Sequence, residues 1–461
     1  MSDEGLRLAR RKMVDAGVDP VAIDVFAHYY RLVEHGETGM IPEDTIDPLD
    51  MPSLADMDVP DQVAADAIAT TAVIKLNGGL GTSMGMDRAK SLLCVRRGLS
   101  FLDIIARQVL HLRDEYAAPL PLIFMNSFRT SADTLAALAR YDGLAVDGLP
   151  LEFLQNKEPK IRVDNLKPVR WPKDPALEWC PPGHGDIYTA LRGTGLLDKL
   201  IDAGYQRAFV SNSDNLGAVP DARVAGWFAS SGAPFAIEAV RRTAGDKKGG
   251  HFATRKSDGR IVLRETAQTL PEDLEALGDL SRHKFTSTNN LWFDLAALRS
   301  EIVRRDGILG LPLIRNTKHV DPGDKASPEV VQIETAMGAA IEIFEDARTI
   351  EVGRDRFVPV KTTDDLLVLR SDAYELGKDF VLDQAVASIP YVELGNVYKL
   401  VGEFDKRFQS GVPSLKDASS FVVHGDWAFG GKVRVVGDVT LDGDHGRVDA
   451  GTVLGTGPSA Q

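Results

Sequence analysis

The stretch Thr71-Ala-Val-Ile-Lys-Leu-Asn-Gly-Gly-Leu-Gly-Thr-Ser-Met-Gly85 limits the folds open to this chain more than any other. It starts as a short apolar run with β-branched residues, which predicts a buried strand. It then places four glycines within eight residues, Gly78, Gly79, Gly81 and Gly85. Glycine lacks a Cβ, so such a loop can take positive φ and bring backbone N–H groups close to a ligand. A loop of this kind at a strand end is suited to holding phosphate. Lys90 follows and brings a mobile positive charge. The spacing fits neither familiar phosphate loop. Gly79-x-Gly81-x-x-x-Gly85 is one residue longer than the dinucleotide fingerprint, and a Walker A loop sets its lysine directly after a glycine. The plain alternative is a tight glycine turn.

Strand, loop and helix then alternate. Phe101 to Arg113 carries Leu102, Ile105, Val109 and Leu112 on one helical face, and Pro121 to Met125 reads as a strand. Thr130 to Tyr141 reads as a helix, Leu151 to Leu154 as a strand ending at Gln155, and Ile187 to Ala203 as a helix. Ala208 to Val210 is a strand that runs into Ser211-Asn-Ser-Asp-Asn215. Further strands are expected at Ala236 to Arg241, Ile261 to Gln268, Thr286 to Phe293 and Phe357 to Lys361, with a helix at Leu295 to Arg304. Thr243 to Ser257 is polar and glycine-rich, which suggests a loop over the site, and Val330 to Phe344 reads as a helix packed through small residues. Alternation of this kind predicts an α/β fold, a mostly parallel sheet with helices on both faces. Ligands on such sheets sit at the carboxyl ends of the strands.

The flanks differ. Residues 3 to 37 have helical spacing broken at Gly17-Val-Asp-Pro20, so two short helices are expected, as a packing cap in preference to a lid or oligomer contact. A Pro- and Asp-rich linker spans Ile41 to Asp61. From about residue 372 the chain turns to alternating β-branched residues with Gly and Asp turns, which suggests a small β-solenoid. The expected domains are 1–69, 70–371 and 372–461, with a disordered tail from Gly455 to Gln461.

With 461 residues, 44% hydrophobic, the chain can bury a large core. Its net charge of −14 argues against a general nucleic-acid binder. A phosphate-rich small ligand remains compatible, through a few focused lysines and backbone N–H groups. Cys94 and Cys180 form neither a metal motif nor a disulfide framework, which suits a reducing compartment. The N-terminus has no signal-peptide pattern, and no apolar run approaches the length of a membrane span. The expected location is the cytoplasm, without membrane contact.

Lys75-Leu-Asn-Gly-Gly-Leu-Gly-Thr-Ser-Met-Gly85 with Lys90-Ser91 resembles the signature of eukaryotic-type UTP–glucose-1-phosphate uridylyltransferases, the UDP-glucose pyrophosphorylases. Further matches run in order to the C-terminal region. The resemblance implies a Rossmann-like, mostly parallel nucleotidyltransferase sheet (GT-A-like) with a C-terminal left-handed β-helix. It implies UTP and glucose 1-phosphate as substrates and UDP-glucose and pyrophosphate as products. A phosphate oxygen of the sugar attacks the α-phosphorus in line. With a second phosphate pKa of about 6 it is already ionised, so no general base is needed. The protein has to bring two anions together and neutralise charge, which calls for lysines and a divalent metal, Mg2+, on a carboxylate.

By the same resemblance, Leu76, Asn77, Gly78 and Gly79 hold the nucleotide through backbone groups, and Lys90 meets the phosphates. Ala89 stands where the family usually has proline, which loosens the backbone before Lys90. Gln155 offers a donor and an acceptor that suit the uracil edge. In Trp179-Cys-Pro-Pro-Gly-His-Gly-Asp-Ile-Tyr188, Asp186 is the expected helix N-cap, Gly183 lets backbone approach the base, and His184 donates to sugar or phosphate. Asp214 is the expected metal ligand, with Asn212 and Ser213 as nucleotide contacts. Lys248-Gly-Gly250, Glu265, Asn289 and Asn290 form the expected sugar side, with Asn290 preferred over Asn289, and Lys361 is a second phosphate lysine.

Each residue also has a plain reading: a solvated charge for Lys90, a structural histidine for His184, an Asx turn for Asp214. Other functions stay open: the same chemistry on another hexose 1-phosphate or N-acetylhexosamine 1-phosphate, or a non-catalytic sugar-nucleotide sensor. The loop spacing disfavours a nicotinamide dehydrogenase. The C-terminal region has two readings, a subunit contact that builds a homo-oligomer or a cap on the sheet.

Overall fold

Seven strands make the central sheet: β1 (Thr71–Asn77), β2 (Leu122–Asn126), β3 (Glu152–Leu154), β4 (Arg207–Asn212), β5 (Phe235–Arg241), β6 (Phe285–Asp294) and β7 (Arg348–Glu351). The structure is a computed structural model and describes residues 2–247 and 249–455. The strand order is β7-β5-β6-β4-β1-β2-β3. All neighbours are parallel except β6, which runs against both β4 and β5. The sheet is therefore mixed and mostly parallel, as the alternation predicts. The chain builds outward from β1 through β2 and β3, then returns to place β4 on the other side of β1. That reversal is a topological switch point, where the carboxyl ends of two strands open a crevice.

Both faces of the sheet are buried, which is why its strands read as continuous apolar runs. Successive side chains point to opposite faces. Val73, Phe124 and Phe209 join one core, which continues through Trp292 to Phe421, Val423 and Val439 near the C-terminus. Ala72, Ile74, Ile123, Ala208 and Val210 join the other. The helix Phe101–Tyr116 starts at a capping box made by Ser100 and Asp103, and its apolar stripe lies on the first core.

The N-terminal helices span Ser2–Asp15 and Pro20–Glu34. Asp19 caps the second by accepting from Val21 N at 2.8 Å. Both pack on Ile161, Leu313, Val331 and Ile333. The linker holds more structure than its composition suggests. Ile46–Pro48 pairs as a strand with His251–Arg255 and Leu54–Asp56 is a 3-10 turn, and the helix Asp61–Ala69 begins where the linker ends.

Several expected elements change. Val330 to Phe344 is a strand, Glu329–Thr335, followed by a 3-10 turn, Met337–Glu342. The β-branched Val330, Val331 and Ile333 pair with Leu313–His319, and small residues fold the turn tightly. A Cβ at Gly338 would lie 2.6 Å from Leu263. The expected helix Ile187 to Ala203 is two, Asp186–Gly193 and Leu196–Asp202, broken where Gly195 takes φ 69°. The strand from Ile261 stops at Arg264, and a strand occupies His251–Arg255 inside the expected loop. Phe357 to Lys361 makes only an isolated bridge, Pro359 to Asn215, since proline has no N–H for a ladder.

Near the C-terminus, Tyr391–Leu394, Ser414–Val423, Arg434–Leu441 and Val453–Leu454 stack in parallel. Asp426–Phe429 and His445–Val448 make a second parallel pair. The expected disordered tail beyond Gly455 lies outside the described residues. Among the described residues no helix is long and apolar enough to cross a membrane.

One ionic knot locks the half of the sheet that carries β5 and β6. Glu238 is fully buried, and its carboxylate accepts from Arg356 Nε and Nη2 at 2.6 and 2.7 Å. Trp292 Nε1 and Asn290 Nδ2 donate to it at 2.9 and 3.0 Å. Glu238→Ala leaves a buried guanidinium without this anion, at a cost of about 3–5 kcal/mol. Urea unfolding is expected to show a correspondingly lower midpoint; an unchanged midpoint contradicts the assignment.

Candidate active site

The glycine loop leaves β1 at the switch point. Asn77 is committed below it: its Nδ2 donates to Asn126 Oδ1 at 2.8 Å and to Thr134 Oγ1 at 2.9 Å, which ties the end of β1 to β2. Gly81 and Gly85 take φ 64° and 75°, a conformation side chains resist. A Cβ at Gly78 would lie 2.7 Å from Gln155 Oε1, so a side chain there would displace the Gln155 amide. The Gln155 amide thus rests on the glycine loop, while Gln155 N donates to Asn126 O at 2.8 Å.

Lys90 closes the loop. Its N–H donates to Gly79 O at 3.1 Å, and its ammonium donates to Asp214 Oδ2 at 2.7 Å and to Val360 O. The Val360 N–H in turn donates to Asp214 O at 3.1 Å. Ala89 is buried at φ −53°, inside the range a proline ring imposes, so the backbone holds the geometry without the ring.

A cleft of about 310 Å³ is lined by Leu76, Asn77, Gly78, Gly79, Lys90, Gln155, Gly183, His184, Asn212, Ser213 and Asp214. A second, of about 420 Å³, is lined by Gly250, Glu265, Asn289 and Lys361. Gly79 and Lys90 line the first and Lys361 the second, but Asn212 and Asp214 line both. Apart from Asn290, and with His184 on the nucleotide side, the residues expected for nucleotide and for sugar thus line adjoining cavities with a shared wall.

His184 Nδ1 accepts from Met337 N at 2.9 Å, so the proton sits on Nε2. Burial pulls its pKa down to about 4, which keeps it a neutral donor at neutral pH. Gly183 takes φ 80°, and a Cβ there would lie 2.5 Å from Thr335 O. Ser213 is buried and its N–H donates to Leu76 O at 3.1 Å, joining the ends of β1 and β4. Lys361 is exposed, and its N–H donates to Asp365 Oδ2 at 2.7 Å at the start of the helix Thr363–Arg370.

Glu265 and Gly250 fit one another, for a Cβ on Gly250 would lie 2.7 Å from Glu265 Oε2. Burial pushes the Glu265 carboxyl pKa up, and Lys361 opposes the shift. Lys248 lies outside the described residues.

Two expectations need correction. Asn290 does not line either cavity; it is fully buried and donates to Glu238 at 3.0 Å. Pleat alternation sends neighbouring residues to opposite faces. A β-bulge between β5 and β6 also turns Asn289 to φ 57°, and Asn289 is the one that lines the cavity. Asp186 is not the N-cap; Gly185 holds that position. The Asp186 carboxylate instead accepts from Asn156 N and Nδ2 at 2.6 and 2.9 Å, directly behind Gln155. That support was not legible as such, because its partner is set by tertiary packing.

A second cluster of metal-type side chains sits apart. His283 Nε2 and Glu43 Oε1 are 2.9 Å apart, and His251 stacks on His283 with ring centroids 3.7 Å apart. Their ligand atoms lie within 4.8 Å of one another, but Arg264 and Arg282 already hold the Glu43 carboxylate. The cluster fastens the linker to the hairpin that carries Gly250 and Glu265.

The family model described as UTP–glucose-1-phosphate uridylyltransferase matches residues 23–435. A probable UTP–glucose-1-phosphate uridylyltransferase of Schizosaccharomyces pombe is 36% identical over 400 residues, covering 85% of this chain and 77% of that protein. The UTP–glucose-1-phosphate uridylyltransferase of Pyrus pyrifolia is 38% identical over 378 residues, covering 81% and 78%. A crystal structure of a mutant UDP-glucose pyrophosphorylase from Leishmania major in complex with UDP-glucose superposes with a TM-score of 0.91. It is 42% identical, and the match covers 97% of this chain and 98% of that one.

Two stability measurements check this geometry. Desolvation raises the Asp186 pKa from 3.8 to about 7, against the Asn156 hydrogen bonds that lower it. A raised carboxyl pKa means the native state binds the extra proton, so this stabilisation is full below about pH 4 and is lost as pH rises through about 7. The melting temperature of Asp186→Asn relative to the parent is expected to rise between those limits; parallel pH curves contradict this. Ala89→Pro is expected to stabilise by about 0.4–1 kcal/mol, read as a higher urea midpoint, since φ is already compatible. A lower midpoint contradicts the fit.

Proposed function

From the premise that the chain belongs to the UTP–glucose-1-phosphate uridylyltransferase family, we infer how its two joined cavities divide the reaction. The enzyme transfers a uridylyl group from UTP to glucose 1-phosphate, giving UDP-glucose and pyrophosphate. The observation that carries the division of labour is the wall shared at Asn212 and Asp214. The uridine half occupies the first cavity and the glucose half the second, so the reacting phosphates meet beside Asp214.

Gln155 reads the uracil edge through its amide, held by Gly78 beneath it and Asp186 behind it. Leu76, Asn77, Gly78, Gly79 and Gly183 offer backbone groups to the nucleotide, and Asn212 and Ser213 border the phosphates. His184 donates from Nε2. On the other side Gly250, Glu265 and Asn289 receive the sugar hydroxyls. Lys90 and Lys361 approach the phosphates from opposite cavities and neutralise their charge.

A divalent cation fits at Asp214. One carboxylate oxygen takes Lys90, and among the described residues no protein donor reaches the other. Mg2+ held there by the Asp214 carboxylate would supply charge neutralisation at the α-phosphate. The residues themselves orient the sugar phosphate for in-line attack and need no base.

The remaining assignments follow the same reading. Residues 1–69 are the N-terminal unit, 70–371 the catalytic domain and 372–461 the C-terminal domain, whose parallel strand pairs between Tyr391 and Val448 support a left-handed β-helix. The C-terminal strands are also the proposed homo-oligomer contact. A cytoplasmic location is supported by two free cysteines.

Pyrophosphate release measured over UTP, ATP and GTP against a panel of sugar 1-phosphates tests the function. UTP with glucose 1-phosphate is expected to give the highest kcat/KM. Asp214→Ala and Lys361→Ala are each expected to lower kcat by about 10²–10³-fold with the fold intact. Release that prefers another nucleotide, or that ignores both substitutions, overturns the reading.

A further inference from the structure

Lys75 lies one residue before Leu76 in β1, yet it is fully buried and lines neither cavity. Its Nζ donates to Ser211 Oγ at 2.7 Å and to Ala218 O at 2.6 Å, and it sits 5.5 Å from the Phe209 ring centroid. Ser211 is its register partner on β4. Ser211, at the end of β4, and Ala218 flank the segment that carries Asn212, Ser213 and Asp214. A single ammonium therefore pins both flanks of that segment from inside the sheet.

The outer side of the loop is held separately. Asn215 Oδ1 accepts from Gly217 N and Val358 N at 3.2 and 2.8 Å, and Asn215 Nδ2 donates to Arg356 O at 3.1 Å. Burying a cation is costly, and burial with the nearby Arg356 brings the Lys75 pKa down to about 7. A methionine fills similar space without that cost. It cannot bond to both flanks.

We propose that Lys75 is a positioning residue: by pinning Ser211 and Ala218 it sets the place of the Asp214 carboxylate, and with it the grip on the cation that accompanies the nucleotide. The proposal rests on reading Asp214 as the metal carboxylate. Lys75 touches no substrate in this account and acts only through the loop.

The test uses Mn2+ as the probe. Binding of Mn2+–UTP to the full chain is followed by water-proton relaxation, and binding of UTP alone, with chelator present, by calorimetry. Lys75→Met is expected to weaken Mn2+–UTP binding about tenfold, as loss of a support behind a metal ligand does, while metal-free UTP binding weakens several-fold less. Ser211→Ala is expected to act in the same direction, more weakly, and carries the test should Lys75→Met not fold. Equal weakening with and without metal, or no weakening in either variant while Asp214→Ala loses the Mn2+ complex, overturns the proposal. Full Mn2+–UTP binding by Asp214→Ala overturns the Asp214 reading and this proposal with it.

Discussion

The Lys90–Asp214 ion pair joins parts of the chain that are otherwise far apart in sequence. Its lysine belongs to the glycine loop after β1, its aspartate to the loop after β4, and both bond to Val360. The pair is mostly shielded from solvent, which strengthens it relative to a surface bridge. It adds a side-chain link between the phosphate loop and the common wall of the two cavities, beside the backbone bond from Ser213 N to Leu76 O.

The sheet makes this junction possible. Parallel order with a reversal between β1 and β4 brings two carboxyl-terminal loops together. β6 is antiparallel and buried, and its bulge delivers Asn289 to the second cavity. Behind the bulge, Glu238 and Arg356 brace the same region through hydrogen bonds to Asn290 and Trp292. The reacting edge is therefore supported by buried polar contacts on both sides of Asp214. This suits a reaction whose demand is positioning and charge neutralisation.

Much of this was legible in the chain. The strands β1, β2 and β4 are apolar runs that end in Gly, Asn, Ser or Asp, and their pattern needs no tertiary context. The nucleotide-side residues were expected from the resemblance of their motifs, and they line one cavity at the ends of such strands. Val330 to Phe344 was misread because its second half is Gly338, Ala339 and Ala340, which suits helix packing equally well, while pairing with Leu313–His319 is a long-range event. Asn289 and Asn290 were misordered for a similar reason. A bulge shifts which neighbour faces the cavity, and no local pattern announces it. The roles of Asp186 and Glu43 depend on partners 30 and more residues away.

The central claim is that both cavities are one site, crossed by a single ligand at Asp214. A crystal structure of the wild-type chain soaked with UDP-glucose tests it most directly. The account predicts continuous density with the uracil against Gln155 and Gly78, the diphosphate beside Asp214 and the hexose against Gly250, Glu265 and Asn289. Density in which the hexose turns away from that second cavity, or the uracil lies off the glycine loop, would contradict it.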